Sequence, residues 1–240
     1  MLICISGMDC TGKSTLCNLL SKKLQNCPVI HFDKPKNKED GKQQYFNFLQ
    51  KYDFINQDII CDRFHDGEHV YAPIYRGYES DYLQELEIEL KKIPFLFINT
   101  TANLEVIKQR INNRGEDFVQ EEHYQLILDK FNEFLNKQSM PYIKIDTSNG
   151  DIDLYIKKIL ESINKVNKLF NYSTKNNLSK NYYGNVNAKY FVTNNMKDKL
   201  IDKGIYEGCW ISNSNDQNFN QFQIETLSLN NDIKYLGGKI

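Results

Sequence analysis

The stretch Leu2-Ile3-Cys4-Ile5-Ser6-Gly7-Met8-Asp9-Cys10-Thr11-Gly12-Lys13-Ser14-Thr15 decides the reading of this chain. It joins an apolar, strand-like run to Leu16-Cys17-Asn18-Leu19-Leu20, which continues as a helix. A loop that holds phosphate needs glycines where backbone must approach the ligand, amides turned inward, a lysine for the outer phosphates and a hydroxyl for magnesium. Gly7, Gly12, Lys13 and Ser14 supply these in order, with Thr15 opening the helix behind them. A bare match arises by chance, but one at the first strand–helix junction of an α/β chain does so rarely. Asp9 is more informative than the scaffold. An acid in the loop would repel triphosphate if it pointed inward, so it is expected to face an acceptor and take a hydrogen bond from a sugar hydroxyl. A solvated turn aspartate is the competing reading.

Outward from the loop, short apolar runs alternate with longer amphipathic ones, the pattern of a mostly parallel sheet covered by helices. Strands are expected at Leu2–Ser6, Pro28–Phe32, Asp58–Asp62, Pro94–Asn99 and Tyr142–Asp146. Helices are expected at Lys13–Leu24, Gln43–Tyr52, Ser80–Lys92, Asn103–Asn112, Glu121–Lys137 and Ile152–Ile163. The fold class is therefore α/β: three layers around a five-stranded parallel sheet, with a small C-terminal α/β appendage. Composition shifts near Ile163 to Asn, Lys, Ser and Tyr, which divides the chain into a phosphate-loop domain (1–163), a linker (164–187) and a small α/β module (188–240).

A second motif, Ile59-Ile60-Cys61-Asp62-Arg63-Phe64, ends an apolar strand in Asp-Arg and so places both side chains at the carboxyl edge of the sheet, where open α/β folds bind ligands. An anion-binding arginine beside a carboxylate suits a phosphate and magnesium site, and a structural ion pair is the alternative. Ser14 and Asp62 are the expected metal-side groups. Immediately after comes His65-Asp66-Gly67-Glu68-His69-Val70-Tyr71-Ala72-Pro73-Ile74-Tyr75-Arg76. Here Phe64 offers a stacking face, Glu68, Tyr71 and Tyr75 a base and sugar pocket, and Arg76 a reach to phosphate. A metal site on His65, His69 and Glu68 is less favoured than nucleotide binding.

These segments resemble the thymidylate kinases. Gly7-x-Asp9-x-x-Gly12-Lys13-Ser14-Thr15 is similar to their loop, Asp62-Arg63 to the pair between their phosphate sites, and the His65–Arg76 stretch to phage-type members, with Ala72 where glycine is usual. The resemblance spans Met1 to about Ile163. It implies that Arg63 contacts the acceptor phosphate and that Asp62 helps hold hydrated magnesium. It also implies that Lys34, in His31-Phe32-Asp33-Lys34-Pro35, stands where an arginine clamps the acceptor, as a point charge in place of a fork. Whether Lys34 or Arg76 holds that phosphate stays open.

Transfer to a phosphate acceptor needs little proton chemistry; the demand is charge neutralisation and in-line positioning. Some thymidylate kinases carry an arginine in the loop and others on a lid. This loop has Cys10 and Thr11 there, so the polar run Gln109–Asp117 is expected to be the lid, with Arg110 as anion ligand and Arg114 as mobile finger.

The tail suggests strands at Ala188–Thr193, Cys209–Ser212 and Ile233–Gly237 and helices at Met196–Lys203 and Phe219–Leu229. Asn187-Ala188-Lys189-Tyr190 and Tyr235-Leu236-Gly237 resemble pieces of uracil-DNA-glycosylase-like domains, while a packing or dimerisation module is the plainer reading. Such a fragment is too small to be stable alone and is expected to dock on the kinase or a second subunit.

Composition bounds the rest. In 240 residues the formal charge is −1, which argues against a strongly basic nucleic-acid binder, and the six cysteines form no Cys-x-x-Cys pair. With no membrane-length apolar run, a reduced cytoplasmic protein is expected, in host cytoplasm if viral. The function expected is ATP- and magnesium-dependent phosphorylation of a pyrimidine deoxynucleoside monophosphate, dTMP to dTDP first. Alternatives are dUMP or a modified acceptor such as 5-hydroxymethyl-dUMP, or a non-catalytic nucleotide- or DNA-binding module. A deoxynucleoside kinase would want a carboxylate base after the second strand, where Asp33 is the nearest candidate.

Overall fold

The structure, a computed structural model, describes residues 1–52, 57–115, 119–138 and 140–175, and the strand residues 182–185, 190–193, 209–212 and 234–235; side chains are described through residue 167. Strands β1 (Leu2–Gly7), β2 (Val29–His31), β3 (Ile59–Asp62), β4 (Phe95–Thr101) and β5 (Pro141–Asp146) are interleaved with helices α1 (Lys13–Lys23), α2 (Lys38–Tyr52), α3 (Asp66–Tyr75), α4 (Leu83–Leu90), α5 (Leu104–Arg114) and α6 (Tyr124–Lys137). A long α7 (Ile152–Lys175) follows β5, and then β6 (Tyr182–Asn185), β7 (Tyr190–Thr193), β8 (Cys209–Ser212) and β9 (Lys234–Tyr235).

The first five strands are parallel in the order β2-β3-β1-β4-β5, as the alternation of runs predicts. Both faces of β1 are buried, which explains its unbroken apolar run. Ile3 and Ile5 pack with Leu16 and Leu20 of α1 and Ile156, Ile159 and Ile163 of α7. Leu2 and Cys4 face Tyr45 and Leu49 of α2, Leu86 and Leu90 of α4 and Phe134 of α6. Successive side chains of one strand thus build two cores. Because β3 and β4 flank β1, strand order reverses there, and the crevice at that switch point opens on Gly7.

Three expectations are corrected. Residues 66–75, to which no helix is assigned from the sequence, form α3 despite Pro73 inside it. The run read as a lid begins as helix, since α5 carries through Arg114, while Glu116 and Asp117 lie outside the described residues. The helix after β5 does not stop at Ile163 but runs to Lys175 through the segment read as linker, because Ile159, Ile163 and Val166 continue its buried face. In the tail, β6 joins β5 in parallel, β8 pairs antiparallel with β6, and β7 pairs with β8 and β9. The tail therefore docks by lengthening the sheet. The helices expected at Met196–Lys203 and Phe219–Leu229 lie outside the described residues. Among the described residues, no helix is long and apolar enough to cross a membrane.

Candidate active site

Backbone geometry explains the loop's glycines. Gly7 has φ 136°, and a Cβ there would lie 2.1 Å from the Thr100 carbonyl oxygen, so β4 leaves no room for a side chain. Gly12, with φ 86°, caps α1 in the left-handed region. Cys10 also has positive φ, at 61°, without being glycine. The buried Lys13 Nζ donates to Gly7 O at 2.9 Å and Met8 O at 2.8 Å and lies 3.5 Å from Asp9 Oδ1. Burial pushes its ammonium below the ordinary lysine range, and Asp9 opposes that shift.

β3 brings the second motif to the same edge. Arg63 has φ 68°, a conformation that costs a bulky residue about 1–2 kcal/mol and is held by its N–H donating to Ile5 O at 2.9 Å. Its half-exposed guanidinium donates to Asp9 Oδ1 at 3.0 Å. Asp9 thus links the donor cradle to the end of β3. Ser14 Oγ donates to Asp62 Oδ2 at 3.2 Å, and His31 Nδ1 lies 3.2 Å from the same oxygen, while the buried Asp62 Oδ1 has no hydrogen-bond partner among the described residues. A hydroxyl beside a carboxylate with an unused oxygen is a hard-oxygen donor set that fits hydrated magnesium.

Several expected pocket residues are buried instead. Phe64 is only 1% exposed and is enclosed by Phe32, Tyr45 and Phe48, so no face is left for a base. Glu68, on α3, pairs with Arg76 and accepts from Tyr78 Oη at 2.7 Å and Tyr82 Oη at 3.2 Å. It does not line an open pocket, and the Arg76 guanidinium, itself mostly buried, is tied to it and not free for phosphate. His65 packs among Phe64, Phe95, Phe97 and Phe134 rather than converging with Glu68. Tyr71 and Tyr75 stay half-buried and stack on each other, with Tyr75 Oη 2.9 Å from His123 Nδ1. Lys34 is exposed on the arm after β2.

A cavity of about 540 Å³ unites the loop residues Asp9, Cys10, Gly12, Lys13, Ser14 and Thr15 with Arg63, Arg110 and Arg114. Leu16, Thr147, Gly150, Ile152 and Tyr155 also line it. Arg114 is exposed in the last turn of α5. Arg110, expected as an anion ligand, donates from Nη1 to Cys10 O at 3.2 Å and Thr147 Oγ1 at 2.9 Å and from Nη2 to Thr147 O at 2.7 Å. Its fork is engaged with the walls of the cavity. Sequence reasoning missed His31, Thr100 and Thr147. The signal for Thr147 was its place just past the carboxyl end of β5, on the ligand-binding edge.

No protein-family model matches the chain. The thymidylate kinase of Leptospira borgpetersenii serovar Hardjo-bovis (strain L550) is 30% identical over 193 residues, an alignment covering 67% of this chain and 92% of that protein. The chain belongs to the thymidylate kinase family. It is accordingly a nucleoside monophosphate kinase, a phosphotransferase. Another relative of this thymidylate kinase family member is the SPbeta prophage-derived uncharacterized protein YorR of Bacillus subtilis (strain 168), 28% identical over 166 residues, 66% of this chain and 96% of YorR. The crystal structure of YorR in complex with phosphorylated GDP matches 67% of this chain and 94% of that one, with a TM-score of 0.57 and 26% identity.

Proposed function

We propose that the chain transfers a phosphoryl group from ATP to a pyrimidine deoxynucleoside monophosphate, dTMP in the first place, giving the diphosphate. The observation that carries this reading is the Arg63–Asp9 bond of 3.0 Å, which sets an acid of the donor loop against an arginine at the acceptor edge. The acceptor phosphate is already an anion, so no side chain need act as base; Lys13 and Arg63 neutralise charge, and Arg114 adds a third cation at the mouth. Asp9, facing the acceptor, takes a sugar hydroxyl, and Tyr71 and Tyr75 wall the base. Lys34 remains the acceptor clamp, since Arg76 is paired with Glu68. Ser14 and Asp62 would hold magnesium, which would supply positive charge against the donor's outer phosphates. The tail, docked on the edge of β5, has a packing role.

The test is a panel assay of phosphate transfer from ATP to dTMP, dUMP, 5-hydroxymethyl-dUMP and the purine monophosphates, guanine included because of the ligand named for YorR. Turnover is expected with dTMP, lost in Lys13→Ala and Arg63→Ala. Asp9→Ala should raise the acceptor KM more than that of ATP, and equal rises would show that Asp9 is misassigned. Preference for a purine acceptor would overturn the pyrimidine reading, and salt-sensitive DNA binding without any turnover would overturn the kinase reading for this chain.

A further inference from the structure

A phosphate cradle works when its amides face the ligand, which leaves its carbonyls facing protein, where each needs a donor. For the Cys10 and Thr11 carbonyls those donors come from far along the chain. Met8 O accepts from Thr11 Oγ1 at 2.6 Å, and that hydroxyl lies 2.7 Å from Thr100 Oγ1 on β4. Cys10 O accepts from Arg110, as described, and Thr11 O from Thr147 Oγ1 at 3.1 Å. Thr147 Oγ1 is also 3.1 Å from Thr101 O, but that carbonyl already receives the Thr147 N–H at 2.8 Å. The one hydroxyl proton can serve only one of the two carbonyls at a time, and of the two it is Thr11 O that has no other donor among the described residues; the hydroxyl oxygen's lone pair takes the Arg110 Nη1 donor.

Within one trans peptide unit the C=O and the next N–H point in opposite directions. Fixing Thr11 O toward Thr147 therefore turns the Gly12 amide away from Thr147. Fixing Cys10 O on Arg110 likewise holds that peptide against a flip, at a residue whose positive φ gives it reason to relax. Arg110 alone cannot do both, because its second nitrogen is occupied by Thr147 O.

We infer that Thr147 and Arg110 are positioning residues that act as a pair: Arg110 locks the Cys10–Thr11 peptide, whose N–H turns back to Met8 O at 3.4 Å, and Thr147 fixes the Thr11 carbonyl so that the Gly12 amide is left to face the donor's phosphates. This rests on reading the loop as the ATP site. Arg110 then serves the reaction through the loop, and the phosphate-facing role falls to Lys13, Arg63 and Arg114.

The experiment measures Mg-ATP affinity by calorimetry and thermal stability by circular dichroism on the full chain. Thr147→Val, which keeps the shape and removes the hydroxyl, should weaken ATP binding about tenfold, the value of one hydrogen bond. Thr147→Ser should restore it to within about twofold, and Arg110→Lys, a point charge in place of a fork, should weaken it about tenfold again. ATP affinity within twofold of wild type in Thr147→Val, or Thr147→Ser as weak as Thr147→Val at equal thermal stability, would overturn the inference. If Thr147→Val does not fold, Arg110→Lys decides, and unchanged affinity there sinks the pair. Wild-type chain that binds ATP yet phosphorylates no acceptor defeats the kinase assignment while leaving this series to stand on its own; a folded chain that binds no ATP defeats both.

Discussion

His65 is 1% exposed, and neither ring nitrogen has a hydrogen-bond partner among the described residues; burial holds its pKa down at about 3. Its neighbour Asp66 is fully buried, and burial pushes its carboxyl up to about 7, against the pull of the Ser6 hydroxyl and its own helix amides. The two act on stability with opposite signs. His65 stays neutral when folded but takes a proton when unfolded, so its contribution is present above about 6.5 and is lost as pH falls toward 3. Asp66 keeps its proton when folded, so its contribution is present below about 3.8 and is lost as pH rises through 7. Denaturant titrations across this range should show His65→Leu more resistant to acid than wild type, and Asp66→Asn without the decline between pH 4 and 7. Unchanged pH profiles would place both groups elsewhere. At pH 7, His65→Leu should be neutral or stabilising by about 1 kcal/mol, since it removes an unpaired polar ring from an aromatic site. At this scale the sequence was readable wherever backbone geometry demands one residue type: Gly7 and Gly12 both have positive φ, and Gly12, Lys13 and Ser14 line the cavity. Phe64, Glu68 and Arg76 were not readable, because which way a side chain faces depends on partners from elsewhere, here Tyr45 and Phe48 of α2 and Tyr78 and Tyr82 of the segment between α3 and α4.

Helix α3 shows why an element can hide in a sequence. Pro73 and the aromatic run around it argue against helix, yet Val70 and Ala72 are fully buried against neighbouring elements, and tertiary packing overrides the local preference. The same packing reverses an ordinary rule in α2. Replacing a helical glycine by alanine usually stabilises by up to about 1 kcal/mol. At Gly41, however, a Cβ would lie 2.6 Å from Tyr82 Oη and 3.1 Å from Glu68 Oε2, and Tyr82 is 4% exposed with its hydroxyl bound to Glu68. Gly41→Ala should therefore destabilise by about 1–3 kcal/mol in urea unfolding. Adding Tyr82→Phe should return part of that loss; a stabilised Gly41→Ala would show that the network yields easily. Helix α7 runs past Ile163 for a related reason: Ile156, Ile159, Ile163 and Val166 keep one buried stripe going while Asn and Lys take over the exposed face.

For the whole molecule, the parallel core was legible because its strands are buried on both faces and read as apolar runs, whereas the tail's attachment depends on edge pairing that no periodicity records. β6 covers the edge of β5. A chain shortened to end at Lys175 should keep ATP affinity, since the cavity is lined by residues no later than Tyr155, but should self-associate through the bared edge in analytical ultracentrifugation. Loss of ATP binding in a folded chain of this length would give the tail a part in the site. The supports of the loop have a further consequence, this time in time and not in space. Thr100 and Thr147 stand far downstream of the segment they hold, so the glycine-rich run lacks these supports until β4 has paired with β1 and β5 with β4. Nucleotide then meets a competent loop only in the finished protein: it slows unfolding by mass action and leaves the rate of folding untouched.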